Sequence, residues 1–558
     1  MKVTDYIVNF IIDKNIKDVF GYPGGMVTHL IESIRLKSDK LNNHLLYHEQ
    51  ALAFAGCSYT ELTKKPTICY ATSGPGATNL ITGIANAYFD SLPVIFITGQ
   101  VNRNESSREM SLKQRGFQET DIVSMVKGIT KFAVYCDDEN KIPEILSKAY
   151  DIAMTDRKGP VLLDIPMDVQ RSDIQDLIFP CLKEQPEKDI KLPNFANYRR
   201  PVLLLGNALK LNTNLEYVRK VIHKLNIPVV TSMISFDILP RHDDLNYGFI
   251  GAYGNRYSNF ILAKADLVIC VGTRLDIRQV GINRENFAPN AQIVRFDIDD
   301  TELSYAIRED DIKICCSCEK ALRCLESVRF DSSEWKRVCG EIKQKLLNVD
   351  AKTKVEGIFD FINKVLPNDA IVTTDVGQNQ VWVAQFLNNV DNFVLFSGNL
   401  GSMGYSLPSS IGAAYACPEK TVISFNGDGG IQMNIQELQT IFRDKLNIKI
   451  FIFNNHALGM IRHFQEMYFQ SKYLSTTEND GFTVPNFAKI ASAYGIPSKR
   501  ILKYDDILKI DLSKKGPELI EIDMPFDTYV FPKLRFGCPN HDQDPLIDRE
   551  LFNYLMSL

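Results

Sequence analysis

Near the carboxyl end of the chain an acidic turn, Gly427-Asp428-Gly429-Gly430, follows the apolar run 422–425. Twenty-four residues (430–453) separate its Gly-Asp-Gly from an amide pair, Asn454-Asn455, which ends a second apolar run, 448–453. Two strands joined through a helix lie parallel, so both turns are expected at one edge of a sheet, with Asp428 and Asn455 placed to share a cation. Glycines let the backbone approach phosphate oxygens, and a following helix presents free N–H groups at its positive end. One carboxylate, one amide oxygen and a backbone carbonyl, completed by phosphate oxygens, suit octahedral Mg²⁺. The chemistry is that of a diphosphate–Mg²⁺ site.

Glu49 is the second residue of interest, in Tyr47-His48-Glu49-Gln50 at a strand-to-helix junction and followed by small apolar residues. Alone it reads as a first-turn acid that favours a helix N-terminus; shielded from water, it could do acid–base work. Met403, in the glycine-flanked stretch Gly401-Ser402-Met403-Gly404, would alone be an ordinary core residue. Ser73-Gly74-Pro75-Gly76-Ala77-Thr78-Asn79 has the look of a dinucleotide fingerprint, but Asn79 stands where its third glycine belongs, and the chain has no G-x-x-x-x-G-K-[ST].

The elements that must position these residues follow an α/β alternation. Thr4 is read as the N-cap of a first helix with the stripe Ile7, Val8, Ile11 and Ile12. Strands are expected at 45–47 before Glu49, at 67–71 before Ser73, and at 93–98 before Gly99-Gln100. A polar, Pro-containing stretch, 181–200, reads as a linker. A second block carries strands at 201–205, 228–231, 267–271 and 292–298, and fades into charged helices around 332–356. A third begins at strand 370–374. The fold class expected is α/β, three doubly wound parallel-sheet domains, at 1–180, 192–345 and 355–558. Blocks one and three share their alternation without a clear sequence repeat.

With 558 residues, 45% hydrophobic and 23% charged, the chain reads as a multidomain globular protein. A net charge of −5 gives no electrostatic case for nucleic acid or an anionic membrane. There is no apolar run of about eighteen residues, and the N-terminus, MKVTDYIVNF, is charged where a signal peptide would be apolar. The expected location is cytoplasmic. Twelve cysteines, mostly in apolar stretches, fit reduced thiols; Cys315-Cys316-Ser317-Cys318 lacks metal-ligand spacing and reads as a strand end with Ser317 capping a helix.

Taken together, the motifs resemble the acetolactate (acetohydroxyacid) synthase branch of the thiamine-diphosphate enzymes over almost the whole chain. The matching stretches are Phe20-Gly21-Tyr22-Pro23-Gly24-Gly25, His48-Glu49-Gln50, the 71–79 loop, Gly116-Phe117-Gln118-Glu119-Thr120-Asp121, Val376-Gly377-Gln378, Gly401–Gly404, the Gly-Asp-Gly and Asn-Asn pair, and Leu458-Gly459-Met460. The resemblance implies pyrimidine-binding, central and diphosphate-binding domains, with active sites formed between subunits of a homodimer or homotetramer. It assigns the catalytic hydrogen bond to N1′ of the cofactor to Glu49, substrate contacts to Phe117 and Gln118, and the prop beneath the cofactor to Met403. It assigns Mg²⁺ to Asp428, Asn455 and the Ala457 carbonyl. Further cofactor contacts fall on Pro23, Gly24, Gly25, Ser73, Gly74, Asn79, Gly377, Gln378, Gly401, Gly427, Gly429, Gly430, Gly459 and Met460.

The implied reaction is decarboxylation of pyruvate and transfer of the two-carbon unit to a second carbonyl, giving 2-acetolactate. Two departures bear on the acceptor. Met167 follows Asp164-Ile165-Pro166 where the family has Lys, and Phe464 stands where it has Trp, although Arg278 keeps a family cation. The alternative reading is therefore transfer to a keto group on a nucleotide-activated sugar. Flavin-dependent pyruvate oxidation and a non-catalytic partner of the same fold stand behind these; Glu49, Asp428 and Asn455 argue against the latter. The absence of adjacent histidines argues against simple decarboxylation. FAD in the central domain is left open: Gly251-Ala252-Tyr253-Gly254 and Asp297-Ile298-Asp299 resemble its pocket, while Gly206-Asn207-Ala208 replaces a glycine triplet.

Overall fold

A computed structural model describes residues 1–175, 189–347, 349 and 352–558. The linker stretch at 181–188 lies outside the described residues. Among the described residues, eighteen strands form three six-stranded sheets, and every strand pair is parallel. The first sheet holds β1 to β6, at Asp18–Gly21, Asn42–Leu45, Thr67–Ala71, Val94–Gln100, Phe132–Tyr135 and Val161–Pro166. The second holds β7 to β12, at Pro201–Leu205, Val229–Thr231, Asn246–Phe249, Leu267–Val271, Gln292–Asp297 and Ile312–Cys315. The third holds β13 to β18, at Ile371–Thr374, Phe393–Phe396, Val422–Gly427, Ile448–Asn454, Ser498–Ile501 and Glu518–Asp523. Central strands such as β3, β4, β7 and β10 are buried along their whole length, as helices on both faces require.

Strand order explains the likeness of blocks one and three. The first sheet runs β2-β1-β3-β4-β6-β5 and the third β14-β13-β15-β16-β18-β17, the same order. The middle sheet, β12-β11-β10-β7-β8-β9, has the dinucleotide-fold order instead. Each sheet reverses its winding direction between two neighbouring strands: β1 and β3, β7 and β10, β13 and β15. A ligand crevice opens at the carboxyl ends of such a pair.

Several local expectations are corrected. The strand before Glu49 is Asn42–Leu45, at the sheet edge, with Asn42 and Asn43 exposed. Its polar residues hide it from an apolar-run search, and 46–48 is a connection. The first helix is Val3–Asp13 with Lys2 at its cap; Thr4 lies inside it, buried, where its hydroxyl accepts a hydrogen bond from Ser33 Oγ. Between β15 and β16 there is no continuous helix but a short turn of helix, Asp428–Ile431, a 3₁₀ segment kinked at Asn434, and a helix at Leu438–Arg443. Ser317 does cap the helix Cys318–Leu325, accepting from Lys320 N.

The first and third units share one core. Helix Glu49–Thr63 lies against helix Ser406–Ala416 so closely that a Cβ on Gly412 would come within 2.0 Å of the Ala55 carbonyl oxygen. Ser58 Oγ donates to Ser409 O across the contact. The tail crosses back to the central unit: Leu555, in the terminal helix Arg549–Ser557, is buried with Val202 and Val268, and Arg256 donates to the carbonyls of Gln543 and Pro545.

Glu437 is fully buried where the first and third units meet, accepting from Tyr47 N at 2.9 Å and from Thr440 Oγ1 at 2.7 Å. Burial pushes its carboxyl up to about 7, against partial relief from these donors. A carboxyl raised in the folded state contributes full stability only below its unfolded value and loses it as pH rises through the folded one. The melting temperature of the wild type is therefore expected to fall relative to Glu437→Gln as pH is raised from about 5 to about 8. Melting curves that stay parallel across that range would rule out a buried, proton-binding Glu437.

Candidate active site

The first cluster grows from the crevice between β1 and β3. The turn after β1 carries Pro23, Gly24 and Gly25, and Met26 N donates to Thr72 Oγ1 just after β3. Gly24 lies so near Thr72 that a Cβ would come within 2.4 Å of the threonine Cβ. Glu49 opens its helix beside the 71–79 loop and is only 9% exposed. Asn79 Nδ2 donates to Glu49 Oε2 at 3.0 Å, and a Cβ on Gly76 would sit 3.2 Å from Oε1. Ser73 Oγ is buried without a partner among the described residues.

Gly74, at φ +62°, backs onto Gln118, which itself has φ +64°. Glu119 pins this loop by accepting from Ser106 Oγ and from the N–H groups of Ser107, Arg115 and Gly116. Those donors outweigh burial and hold the Glu119 carboxyl down at about 2. The neighbouring Phe117 is left 81% exposed.

The second cluster fills the crevice between β13 and β15. Asp428, 3% exposed, accepts from Gly429 N at 2.7 Å and from Ala457 N at 3.2 Å. That contact joins the turn after β15 to the turn after β16. Burial raises the Asp428 carboxyl to about 6 in spite of these donors, an environment a divalent cation would relieve. Asn455 Nδ2 donates to Gln378 Oε1 at 3.1 Å, so its amide oxygen is the atom left for a cation. Gln378 in turn donates to Thr528 O. Gly377, at φ +98°, faces open space, whereas a Cβ on Gly459 would meet Gln378 Oε1 at 2.0 Å. Gly427 lies against Asn379. Met403, 39% exposed, follows Gly401 (φ +69°), and its Cε would lie 3.4 Å from a Cβ on Gly429. Glycine-lined backbone, a buried carboxylate and an amide oxygen thus suit a metal-bound diphosphate.

The substrate-pocket candidates are spread over three units. Met167 opens a short helix at the carboxyl end of β6. Arg278 lies in the central unit, its guanidinium 6.0 Å from the Tyr253 ring, and Tyr253 OH donates to Met460 Sδ on the third. Phe464, one turn further along that helix, packs on Tyr468 and Phe536. The structure thus brings Arg278 towards Met460 through Tyr253, while Met167 belongs to the first unit.

Within one chain, Glu49 and Asp428 belong to separate clusters. Beside Glu49, the contact between the units bearing them includes Asn434 Nδ2, which donates to Gln50 Oε1 at 3.3 Å.

Two residues were missed by the sequence reading. Asp375, fully buried, accepts from Val376 N and Gly404 N, and a Cβ on Gly430 would fall 2.1 Å from its Oδ2. It locks the Gly377, Met403 and Asp428 loops together, and an acid directly before Val376-Gly377 at a strand end was the available signal. Lys533, in the tail, places Nζ 3.3 Å from His463 Nδ1, and nothing local in the sequence could pair them.

A cavity of about 1000 Å³ sits at the β7–β10 reversal and reaches the first and third units. Asn207, Gly272, Thr273, Arg274, Arg278 and Asp297 are among its lining residues. Asn207 Oδ1 is buried there without a partner among the described residues, and Gly206 lies so close to Gly272 that no side chain would fit between them.

Comparison with known proteins agrees with this layout. Residues 1–125 match the thiamine pyrophosphate enzyme N-terminal TPP binding domain, 193–325 the central domain, and 375–522 the C-terminal TPP binding domain. Acetolactate synthase 1, chloroplastic, of Nicotiana tabacum is 33% identical over 574 residues, covering 96% of this chain and 84% of that protein. The acetolactate synthase isozyme 2 large subunit of Escherichia coli (strain K12) is 31% identical over 566 residues, covering 97% and 99%. The isozyme 1 large subunit of the same organism is 33% identical over 556 residues, covering 96% of each chain.

Asp375→Ala strands two buried N–H groups and is expected to destabilise the third unit by about 2 kcal/mol or more. Asp375→Asn, which keeps an acceptor, should cost clearly less. Equal losses for both variants in chemical denaturation would show that the hydrogen bonds are not what Asp375 contributes.

Proposed function

We propose a function on this premise: the chain belongs to the acetolactate synthase family of thiamine-diphosphate-dependent enzymes, which form carbon–carbon bonds. The reaction is decarboxylation of pyruvate and transfer of the remaining two-carbon unit to a second 2-keto acid, with 2-acetolactate the product when both substrates are pyruvate. Thiamine diphosphate supplies, when bound, the nucleophilic carbon and electron sink that no side chain offers. One observation carries the reading. The two carboxylates this chemistry needs are both buried and both held by groups that aim them: Glu49 by Asn79, Asp428 by the Gly429 and Ala457 amides.

Each residue then has a separable task. Asp428, the Asn455 amide oxygen and the Ala457 carbonyl would hold Mg²⁺, with the Gly429-Gly430 backbone and Gln378 beside the diphosphate. Glu49 would hold a proton at Oε1 against the aminopyrimidine while Asn79 fixes Oε2. Met403 would support the cofactor from below. Phe117 and Gln118, on the loop pinned by Glu119, would face the substrate, and Arg278 with Phe464 would shape the acceptor side. Arg278 and the tail's Lys533 offer cations for a keto-acid carboxylate, which lessens the weight of Met167.

We read the functional unit as a homodimer or a larger homo-oligomer, in which the Glu49 cluster of one copy faces the Asp428 cluster of its partner. The exposure of Phe117 and Met403 fits a surface completed by a second copy. We read the cavity at the β7–β10 reversal as a flavin site. Its volume, its unpartnered Asn207 oxygen and its mixed arginine and aspartate lining fit FAD.

With thiamine diphosphate, Mg²⁺ and pyruvate, the protein is expected to release CO₂ and form acetolactate. Glu49→Gln should lower kcat by about 10²–10⁴-fold with little change in cofactor binding. Asn79→Ala should give a smaller loss, about tenfold, because it only releases the carboxylate. Undiminished turnover in Glu49→Gln would remove that residue from proton transfer. Purified protein is expected to carry flavin absorption or to acquire it on incubation with FAD, at one equivalent per chain; failure to retain flavin after gel filtration would refute the central-site assignment.

A further inference from the structure

A second cavity, of about 360 Å³, adjoins the larger one and shares Lys158, Leu211, Asn212 and Glu319 with it. It lies where the first unit meets the central one, and its lining does not overlap the residues assigned to the reaction. Lys158 lines both cavities and its chain neighbour Arg157 only the larger one, and their surroundings differ. Arg157 is engaged by Ser91, Asp299 and Glu302. Lys158, half-buried, has no hydrogen-bond or ion-pair partner among the described residues, and burial alone draws its amine below the ordinary lysine range.

Two further positive features face the same space. Lys64 lines the cavity, and the charge of Lys158 is among the influences that hold its amine down near 8, behind burial and against the pull of Glu61. Its Nζ donates to the Lys210 carbonyl and lies 5.1 Å from the Phe393 ring. Thr213 and Asn214 bring the positive end of helix Leu215–Leu225 to the wall, with Asn214 capping Glu216 N and Tyr217 N. The one carboxylate on the wall, Glu319, is already paired with Arg323. Two amines that repel each other at a desolvated wall, beside a helix N-terminus, are stabilised by a shared anion.

We propose that this cavity is a binding site for a phosphate group, free or carried on a small organic molecule, held by Lys158 and Lys64 at the start of helix Leu215–Leu225. None of its lining residues is assigned to thiamine diphosphate, and Lys64, Thr213, Asn214 and Tyr217 line this cavity and not the larger one. Its location at the contact between the first and central units means that occupancy ties those units together.

The test uses the whole purified protein, with and without FAD, in buffers of matched chloride ionic strength. Inorganic phosphate and glycerol 3-phosphate are titrated in parallel by thermal melting and by calorimetry. Saturable binding of one equivalent per chain is expected, with FAD present or absent; tighter binding of the ester than of inorganic phosphate assigns the group to an organic ligand, and the reverse to free phosphate. Lys158→Met keeps the aliphatic stem and removes an unpartnered charge. It should melt no lower than wild type without phosphate, yet bind phosphate at least tenfold more weakly. Lys148→Met, on a helix away from the cavity, should bind as wild type does. The proposal is overturned if no saturable binding is seen, if Lys158→Met binds undiminished, or if FAD abolishes binding, since the last result would place the anion in the larger cavity.

Discussion

Everything chemical in this molecule depends on one topological constraint. In an all-parallel sheet every strand delivers its carboxyl end to the same edge, and where the winding direction reverses, the two connecting segments leave to opposite faces. The edge opens there into a crevice. The first reversal brings the Gly24 turn against Thr72, the second brings Gly206 against Gly272, and the third brings Asp375 against Gly430. At each, a neighbour comes so close that a Cβ would clash with it: the Thr72 side chain at the first, the Gly272 backbone at the second and the Asp375 carboxyl at the third. The glycines scattered through the sequence thus mark three openings of one kind.

What fills those openings is buried charge under local control. Asp428 and Asp375 are both desolvated enough to lie well above the ordinary aspartate range, and both are surrounded by backbone N–H groups instead of cationic side chains. Amides can satisfy a carboxylate's hydrogen bonds without neutralising its charge, so Asp428 remains available to a divalent ion. Glu49 is treated differently: a single amide from Asn79 orients it, leaving its other oxygen free for proton work. The same element type, an acid at the end of a strand, is set to two tasks by the donors around it.

The units are held together by contacts with little side-chain bulk. Helices Glu49–Thr63 and Ser406–Ala416 meet through alanine, serine and glycine, which lets their backbones come near and fixes the first unit firmly on the third. The tail performs the corresponding task between the third unit and the second, with Leu534 N bonded to the Ala252 carbonyl and Asn540 to that of Gln279. This return path carries Lys533 to His463 and frames the side of the molecule that also bears Arg278 and Phe464.

Much of this was legible in the amino-acid order, because local physics writes it there. Apolar runs of strand length ending in glycine or small polar residues announced β3, β7, β10, β15 and β16, and the spacing of Asp428 and Asn455 announced a shared edge. The α/β class and the family resemblance rest on such local signals. The polar edge strand Asn42–Leu45 was misplaced, and the kink at Asn434 was missed, since neither leaves an apolar period. Only the tertiary structure decided that Asn79 holds Glu49, that Asp375 locks three loops, that the first and third sheets share one strand order, and that Lys158 faces a cavity without a counter-charge. Those facts join residues tens to hundreds of positions apart. A sequence records each side chain's chemistry, but which groups desolvate one another is settled only when distant strands and helices close over them.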